Sequence, residues 1–203
     1  MRDAKYSMSF TTGTLFHHES SKLISLYLEF EDWATVREKV ISDNLLQTRT
    51  MNSSKRFCSE IISRLKKLSH DEIKLYTQLS TQQQGYLLWL AVCRRYRFIA
   101  EFAVEVLREH YISLKNDLSY EDFDYFFNKK SEWHTELDQI RPTTKQKLRQ
   151  ILFKMLREAE LLTSQNIIIA ARLTPELIST IVIENRQNII YFPVFDCDLR
   201  DFL

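Results

Sequence analysis

The sequence predicts a mainly α-helical protein, and three observations support that fold class. The 203 residues include only two glycines and three prolines, whereas sheet-rich folds need many turns built from these residues. Apolar residues recur three or four positions apart in several segments, which is the spacing of one helix face. The chain is 44% hydrophobic and 27% charged, an ordinary balance for a globular protein. We therefore expect a compact multi-helix protein, divided into three segments or forming one domain.

The first segment, residues 1–70, is predicted to form a unit like a helix-turn-helix. Residues 1–13 look extended, and helices are expected over 15–30 and 33–42, where acidic residues open the second helix. Polar residues offer N-cap oxygens for a third helix with its own apolar stripe. These N-cap candidates are Asn52, Ser53 and Ser54, and the stripe is Phe57, Ile61, Leu65 and Leu68.

A helix, a turn and a longer polar-faced helix form the outline of a DNA-binding unit whose second helix enters the major groove. The N-terminal residues of that helix would meet the DNA, and they are Asn52, Ser53, Lys55 and Arg56. A helix N-terminus also presents free N–H groups to phosphate. Any three-helix packing unit shares the same outline, so that alternative stays open.

The central segment, residues 71–140, is predicted to hold a short helix over 71–79 and a long apolar helix over 86–110. Apolar residues surround the long helix up to Arg94, which is typical of a central core helix. Its apolar run is much shorter than the ~20 residues that cross a membrane. Acidic and aromatic residues alternate over 116–138, and we expect a packed connector there, because acids repel phosphate and disfavour base stacking.

The last segment, residues 141–203, is predicted to form a small winged-helix-like unit. Thr143 or Thr144 would cap a helix, and Thr174-Pro175 would open another that ends near Glu184. Two short apolar stretches, 166–171 and 188–195, have the β-branched and aromatic composition of strands. Two strands after a basic helix suggest a wing.

Positive charge is concentrated in two of the predicted helices, although the net charge of the chain is only +1. Residues 51–68 and 143–160 both carry clustered Lys and Arg with few acids. Such clustering is the electrostatic footprint of a nucleic-acid binder, and a solvated helix face is the alternative. The predicted phosphate contacts are Arg49, Lys55, Arg56, Lys66 and Lys67 on the first unit, and Lys145, Lys147, Lys154 and Arg157 on the second. Phosphate contacts carry little sequence information, so we expect weak sequence preference.

The residues that carry enzyme chemistry do not form a recognisable pattern. The histidines have no Cys or His at zinc-site spacing, and no glycine-rich phosphate loop occurs. Asp71, Glu72 and Lys74 superficially resemble a nuclease acid set, but those sets sit on strands and these residues open a helix. We therefore expect neither an enzyme nor a bound metal or cofactor. Three widely spaced cysteines and a polar N-terminus favour a reducing cytoplasm over secretion.

Short motifs along nearly the whole chain carry a family resemblance. They are Tyr6-Ser-Met-Ser-Phe, Glu19-Ser20, Leu26-Tyr27-Leu28, Asp32-Trp33, Asn44 to Thr50, Ser54-Lys55-Arg56, Arg64-Leu65, Leu88 to Tyr96, Phe102 to Leu107, Thr144 to Leu148 and Met155 to Leu162. With these motifs in this order, the chain resembles the BrxA family of bacterial BREX (bacteriophage exclusion) phage-defence systems.

The resemblance implies a NusB-like helical, non-enzymatic component of a defence system that methylates host DNA and blocks phage replication. It also implies an association with double-stranded DNA, with other BREX proteins as further candidate partners. We expect no membrane insertion, because no apolar segment of the sequence is long enough to span a bilayer. Two alternatives stay open. The basic faces could dock acidic surfaces of other BREX proteins, which would make the protein an adaptor, or they could bind RNA, as NusB-like folds allow.

Overall fold

Helices dominate the computed structural model, which describes residues 5–195 and 197, and the mainly α fold class is confirmed. In chain order the elements are α1 His17–Phe30, α2 Trp33–Ser42, α3 Met51–Leu65, α4 His70–Tyr76, α5 Thr81–Arg95, α6 Arg97–Phe102, a π-helical turn Ala103–Arg108, α7 Glu109–Ile112, α8 Tyr120–Ser131, α9 Thr135–Asp138, α10 Pro142–Glu158, α11 Pro175–Asn185 and a 3-10 helix Arg186–Tyr191.

Side-chain caps set the starts of α2 and α3. The Asp32 carboxylate accepts a 2.8 Å hydrogen bond from the Thr35 N–H and begins α2 at the predicted residue. Thr50 is the N-cap of α3, because its Oγ1 accepts from the Ser53 N–H at 3.2 Å. The predicted caps at 52–54 therefore lie inside the first turn of α3. The turn that precedes α3 consequently ends at Thr50 and carries Arg49 at its edge.

The long central helix expected over 86–110 is interrupted at Tyr96, so that prediction is wrong. Tyr96 has φ −121° and ψ 97°, which is extended backbone, and it separates α5 from α6. The sequence hides this break because no Gly or Pro marks it and buried apolar residues resume at Phe98, soon after Cys93. The Tyr96 hydroxyl donates to the Glu60 carboxylate at 2.5 Å, which ties the break to α3.

The two predicted C-terminal strands, and with them the winged unit, are wrong for the residues that the structure describes. Residues 166–171 form only isolated bridges, Asp117 with Ile167 and Leu162 with Ile168. The first half of the second stretch, residues 188–191, lies in a 3-10 helix, and the Asn185 side chain caps that helix. The β-branched pattern reflects burial against the helices rather than ladder pairing, since Ile168, Ile189 and Phe192 are all buried.

One hydrophobic cluster draws side chains from all three sequence segments. Phe98 lies within it, and its ring contacts those of Tyr6, Phe123, Phe126 and Phe127. The phenylalanines of the acidic connector are therefore packed inward, as expected, whereas its Tyr125 and Trp133 side chains are exposed. None of the helices within residues 5–195 combines the length and the apolar composition that a membrane crossing requires.

Candidate nucleic-acid interface

The first candidate surface lies on the solvent side of α3 and in the turn before it. Its cations are exposed, and within residues 5–195 their charged groups form no ion pair or side-chain hydrogen bond. We call this the α3 surface, and its residues are Arg49, Lys55, Arg56, Lys66 and Lys67. All five are sequence-predicted phosphate contacts, and the fold places them on α3 and in the turns before and after it, with their charges available.

Helix geometry aligns four of these cations in two pairs. Lys55 and Lys66, and likewise Arg56 and Lys67, are separated by about three turns of helix, which returns to the same face roughly 16 Å further along. Lys66 follows the last residue of α3 and keeps right-handed helical backbone, with φ −61° and ψ −8°. The α3 surface is therefore an extended stripe of charge.

The single acid within α3 does not oppose this stripe. The Glu60 carboxylate accepts from Arg64 Nε at 2.7 Å and from the Tyr96 hydroxyl at 2.5 Å. Burial, together with the hydrogen bond to the Glu60 carboxylate, raises the pKa of Tyr96 to about 12. Arg64 is only 3% exposed, and it also donates to the Thr14 carbonyl at 2.6 Å. Arg64 is thus an internal cation, although the sequence groups it with the surface lysines.

The start of α3 is also free of negative charge, unlike the starts of α4 and α8. Glu72 and Asp122 complete capping boxes in those two helices, so each places a carboxylate against the first amides. The first turn of α3 carries no acid. Because the positive end of the helix dipole lies there, this end of the α3 surface favours an anion.

The second candidate surface, on α10, is largely paired with other side chains. Lys145 Nζ lies 2.8 Å from Asn128 Oδ1 and 3.3 Å from the Asp124 carboxylate, which also binds Arg149. Arg157 donates to Asn166 Oδ1 at 2.6 Å.

The remaining two predicted contacts on α10 are exposed. Lys154 Nζ lies 3.8 Å from the Glu158 carboxylate, a separation typical of a weak, solvated pair. The Lys147 side chain makes no hydrogen bond or ion pair with any described residue. The α10 surface therefore offers less available charge than its sequence indicates.

One peptide group joins the two basic helices. The Thr14 carbonyl accepts from Arg64 of α3 at 2.6 Å, and the neighbouring Leu15 N–H donates to Glu158 of α10 at 2.6 Å. Both helices also pack against α5. The fold therefore brings α3 and α10 close together at Arg64 and Glu158.

No residue of α2 is among the predicted phosphate contacts, yet the structure places an exposed cation of α2, Arg37, beside α3. Burial raises the pKa of the Cys58 thiol in α3, and the charge of Arg37 lowers it by a smaller amount. Arg37 is therefore near enough to α3 to act on Cys58. No sequence pattern marks Arg37 as a neighbour of α3, because its position there depends on the packing of α2 against α3.

Comparison with known proteins confirms the family resemblance. The BrxA family model matches residues 4–185. A BREX protein BrxA from Bacillus cereus (strain H3081.97) is 26% identical over 169 residues, covering 81% of this chain and 82% of that protein. Another, from Escherichia coli O9:H4 (strain HS), is 26% identical over 147 residues, covering 72% of this chain and 69% of that protein.

A solved structure shares the fold. The crystal structure of an uncharacterized protein from Magnetospirillum magneticum matches with a TM-score of 0.79 and 20% identity, over 93% of this chain and 97% of that one. Among the described residues, no group of three or more His, Cys, Asp or Glu side chains could hold a metal ion. The BrxA family model spans most of the length of this chain, and the chain therefore belongs to the BrxA family.

Proposed function

We propose that this protein is a non-enzymatic component of a BREX phage-defence system that binds double-stranded DNA through its phosphates. The α3 surface carries the proposal, because its five cations are exposed and unpaired among the described residues while Glu60 is held internally. The names of the two relatives support the assignment to a BREX system.

Electrostatics sets the expected strength and selectivity of this binding. Each cation that neutralises a phosphate releases counterions, and log affinity then falls against log salt with a slope of about −0.9 per contact. Five contacts from the α3 surface would give a slope of roughly −4.5. Phosphate contacts fix position without reading bases, so affinities for unrelated duplexes should be similar.

Fluorescence anisotropy with a labelled duplex of mixed sequence, titrated at several salt concentrations, tests the proposal. The double variant Lys55→Gln/Lys66→Gln should bind more weakly, with a salt slope shallower by about 1.8. The control Lys74→Gln/Lys129→Gln removes the same charge from exposed positions on α4 and α8 and should retain the parent slope. Absence of binding by the parent at low salt, or equal effects of the two double variants, would overturn the proposal.

A second candidate is an adaptor that docks other BREX proteins, and exposed aromatic rings favour it. Tyr125 is 74% exposed and Trp133 is 82% exposed, and large exposed rings are enriched where proteins meet. A complex with a partner that resists high salt and weakens with Tyr125→Ser/Trp133→Ser would support this role. Competition between duplex DNA and single-stranded RNA, matched in length, separates both roles from RNA binding.

A further inference from the structure

A small pocket of about 230 Å³ lies between the end of α2 and the start of α3. Ser42 and Asn44 line it from the α2 side, and Arg49, Thr50 and Ser54 line it from the α3 side. The pocket therefore opens next to the α3 surface, at the positive end of the α3 helix dipole.

Ser54 gives this pocket a hydroxyl group whose hydrogen-bonding capacity is unused. The residue is 2% exposed, and its Oγ has no hydrogen-bond partner among the described residues. A helical serine commonly donates to the carbonyl four residues earlier, which here belongs to Thr50. That carbonyl already accepts from the Ser54 N–H at 3.0 Å and from Thr48 Oγ1 at 3.1 Å. Because both lone pairs of the Thr50 carbonyl oxygen are taken, the Ser54 hydroxyl remains available to a group in the pocket.

The first turn of α3, in which Met51 lines the pocket and Asn52 follows it, adds further donors beside the pocket. The Ser53 amide is satisfied by Thr50 Oγ1, whereas the amides of Met51 and Asn52 have no intrahelical acceptor. Arg49 is exposed at the edge of the pocket, and the first turn carries no carboxylate. A hydroxyl, two amides and a guanidinium are all donors, which suits a ligand that is anionic and rich in acceptor oxygens.

We propose that this pocket binds a phosphate group, held by the Ser54 hydroxyl, the Met51 and Asn52 amides and the Arg49 guanidinium. The assignment of that phosphate to the backbone of duplex DNA rests on the proposed function. One phosphate seated in the pocket fixes where α3 lies along the duplex, and the remaining cations of the α3 surface then meet neighbouring phosphates.

Titration with inorganic phosphate, followed by ¹H–¹⁵N NMR at constant ionic strength, tests the pocket itself. The amides of Met51 and Asn52 should shift saturably with phosphate and not with chloride. Ser54→Ala should weaken phosphate binding by about fivefold, the effect of one hydrogen bond of average net strength. Ser179→Ala is the matched control, because Ser179 also lies near a helix start but donates to the Pro175 carbonyl. Absence of saturable shifts, or equal phosphate affinity for Ser54→Ala and the parent, would overturn the pocket.

Duplex binding then identifies the source of the phosphate. Ser54→Ala should weaken duplex affinity by about fivefold without changing the salt slope, because no charge is removed, whereas Arg49→Gln should weaken affinity and reduce the slope by about 0.9. Alanine favours the helix more than serine does, and thermal unfolding verifies that the variant is folded.

Failure of the proposed function can be distinguished from failure of the pocket. If the Ser54→Ala variant binds inorganic phosphate more weakly but binds the duplex like the parent, the pocket binds free phosphate. The assignment of the bound phosphate to DNA is then wrong. If the parent does not bind the duplex at all, the proposed function fails. The titration with inorganic phosphate still shows whether the pocket binds phosphate.

Discussion

Helices α3 and α10 carry similar positive charge in the sequence but use it differently in the fold. The lysines and Arg56 of α3 are exposed, and Glu60 is turned inward onto Arg64 and Tyr96. In α10, by contrast, an acid from another helix, Asp124, pairs with Lys145 and Arg149. The charge available on a helix therefore depends on where the nearest acids point and not only on how many basic residues the helix contains.

The first prediction, a loss of folding stability, distinguishes the internal cation of α3 from its surface cations. Arg64→Met removes the partner of the largely buried Glu60 carboxylate, and breaking a buried pair costs about 3 kcal/mol of the free energy of unfolding. Denaturant unfolding measures this loss. The matched change Arg56→Met, at an exposed position of the same helix, should alter the free energy of unfolding by less than about 0.5 kcal/mol and should flatten the salt dependence of DNA binding. Unchanged stability with a flatter salt slope for Arg64→Met would make Arg64 a DNA contact instead.

The second prediction compares the two surfaces directly. Lys147→Gln/Lys154→Gln on α10 should change the salt slope of duplex binding by about 0.9 or less, because Lys154 has Glu158 nearby. The corresponding Lys55→Gln/Lys66→Gln change on α3 should alter the slope by about 1.8. Anisotropy titrations of the two double variants give both slopes. Equal changes would show that α10 contacts the duplex as extensively as α3 does.

The bounds of a helix were predicted well where they depend on an N-cap and on buried residues that are close together in the sequence. The bounds of α2 follow from Asp32 and the spacing of Val36 and Val40, all close in the sequence. The strand predictions failed because apolar β-branched residues are buried against helices without a ladder partner. The break at Tyr96 was missed because no Gly or Pro marks it and buried apolar residues resume on the far side of the flanking arginines.

The residue types of the candidate site could be predicted from the sequence. Which of its cations are exposed and unpaired could be predicted only in part. The exposed lysines of α3 follow from helical spacing, because their environment is set by their own helix. Arg64 becomes internal through Thr14, far away in the sequence, and Arg149 is paired by Asp124, 25 positions earlier. Such long-range pairs leave no periodic signal, so sequence alone groups paired and free cations together.

Releasing the paired cations of α10 is a third and smaller perturbation. Asp124→Asn removes the carboxylate that binds Lys145 and Arg149, and the partly exposed pair should contribute less than about 1 kcal/mol to stability. If α10 faces the duplex, the variant should bind DNA more tightly, with a salt slope steeper by up to about 1.8. Asp138→Asn, an exposed acid on α9, removes the same charge as a control. Equal affinities for the two variants would show that α10 does not contact the duplex.

The last prediction concerns the dependence of stability on pH. It rests on His17 of α1, which lies near the C-terminal end of α10. Burial lowers the pKa of His17, and the nearby Glu158 and Glu160 carboxylates only partly oppose that shift. The unfolded chain therefore binds a proton more readily than the folded protein. Stability is fully present above the ordinary histidine pKa of about 6.5 and is lost as pH falls from there through the lowered folded value. Denaturant unfolding between about pH 7.5 and pH 5 should show this loss, and His17→Gln should reduce its slope. A slope that His17→Gln leaves unchanged would assign the pH dependence to other groups.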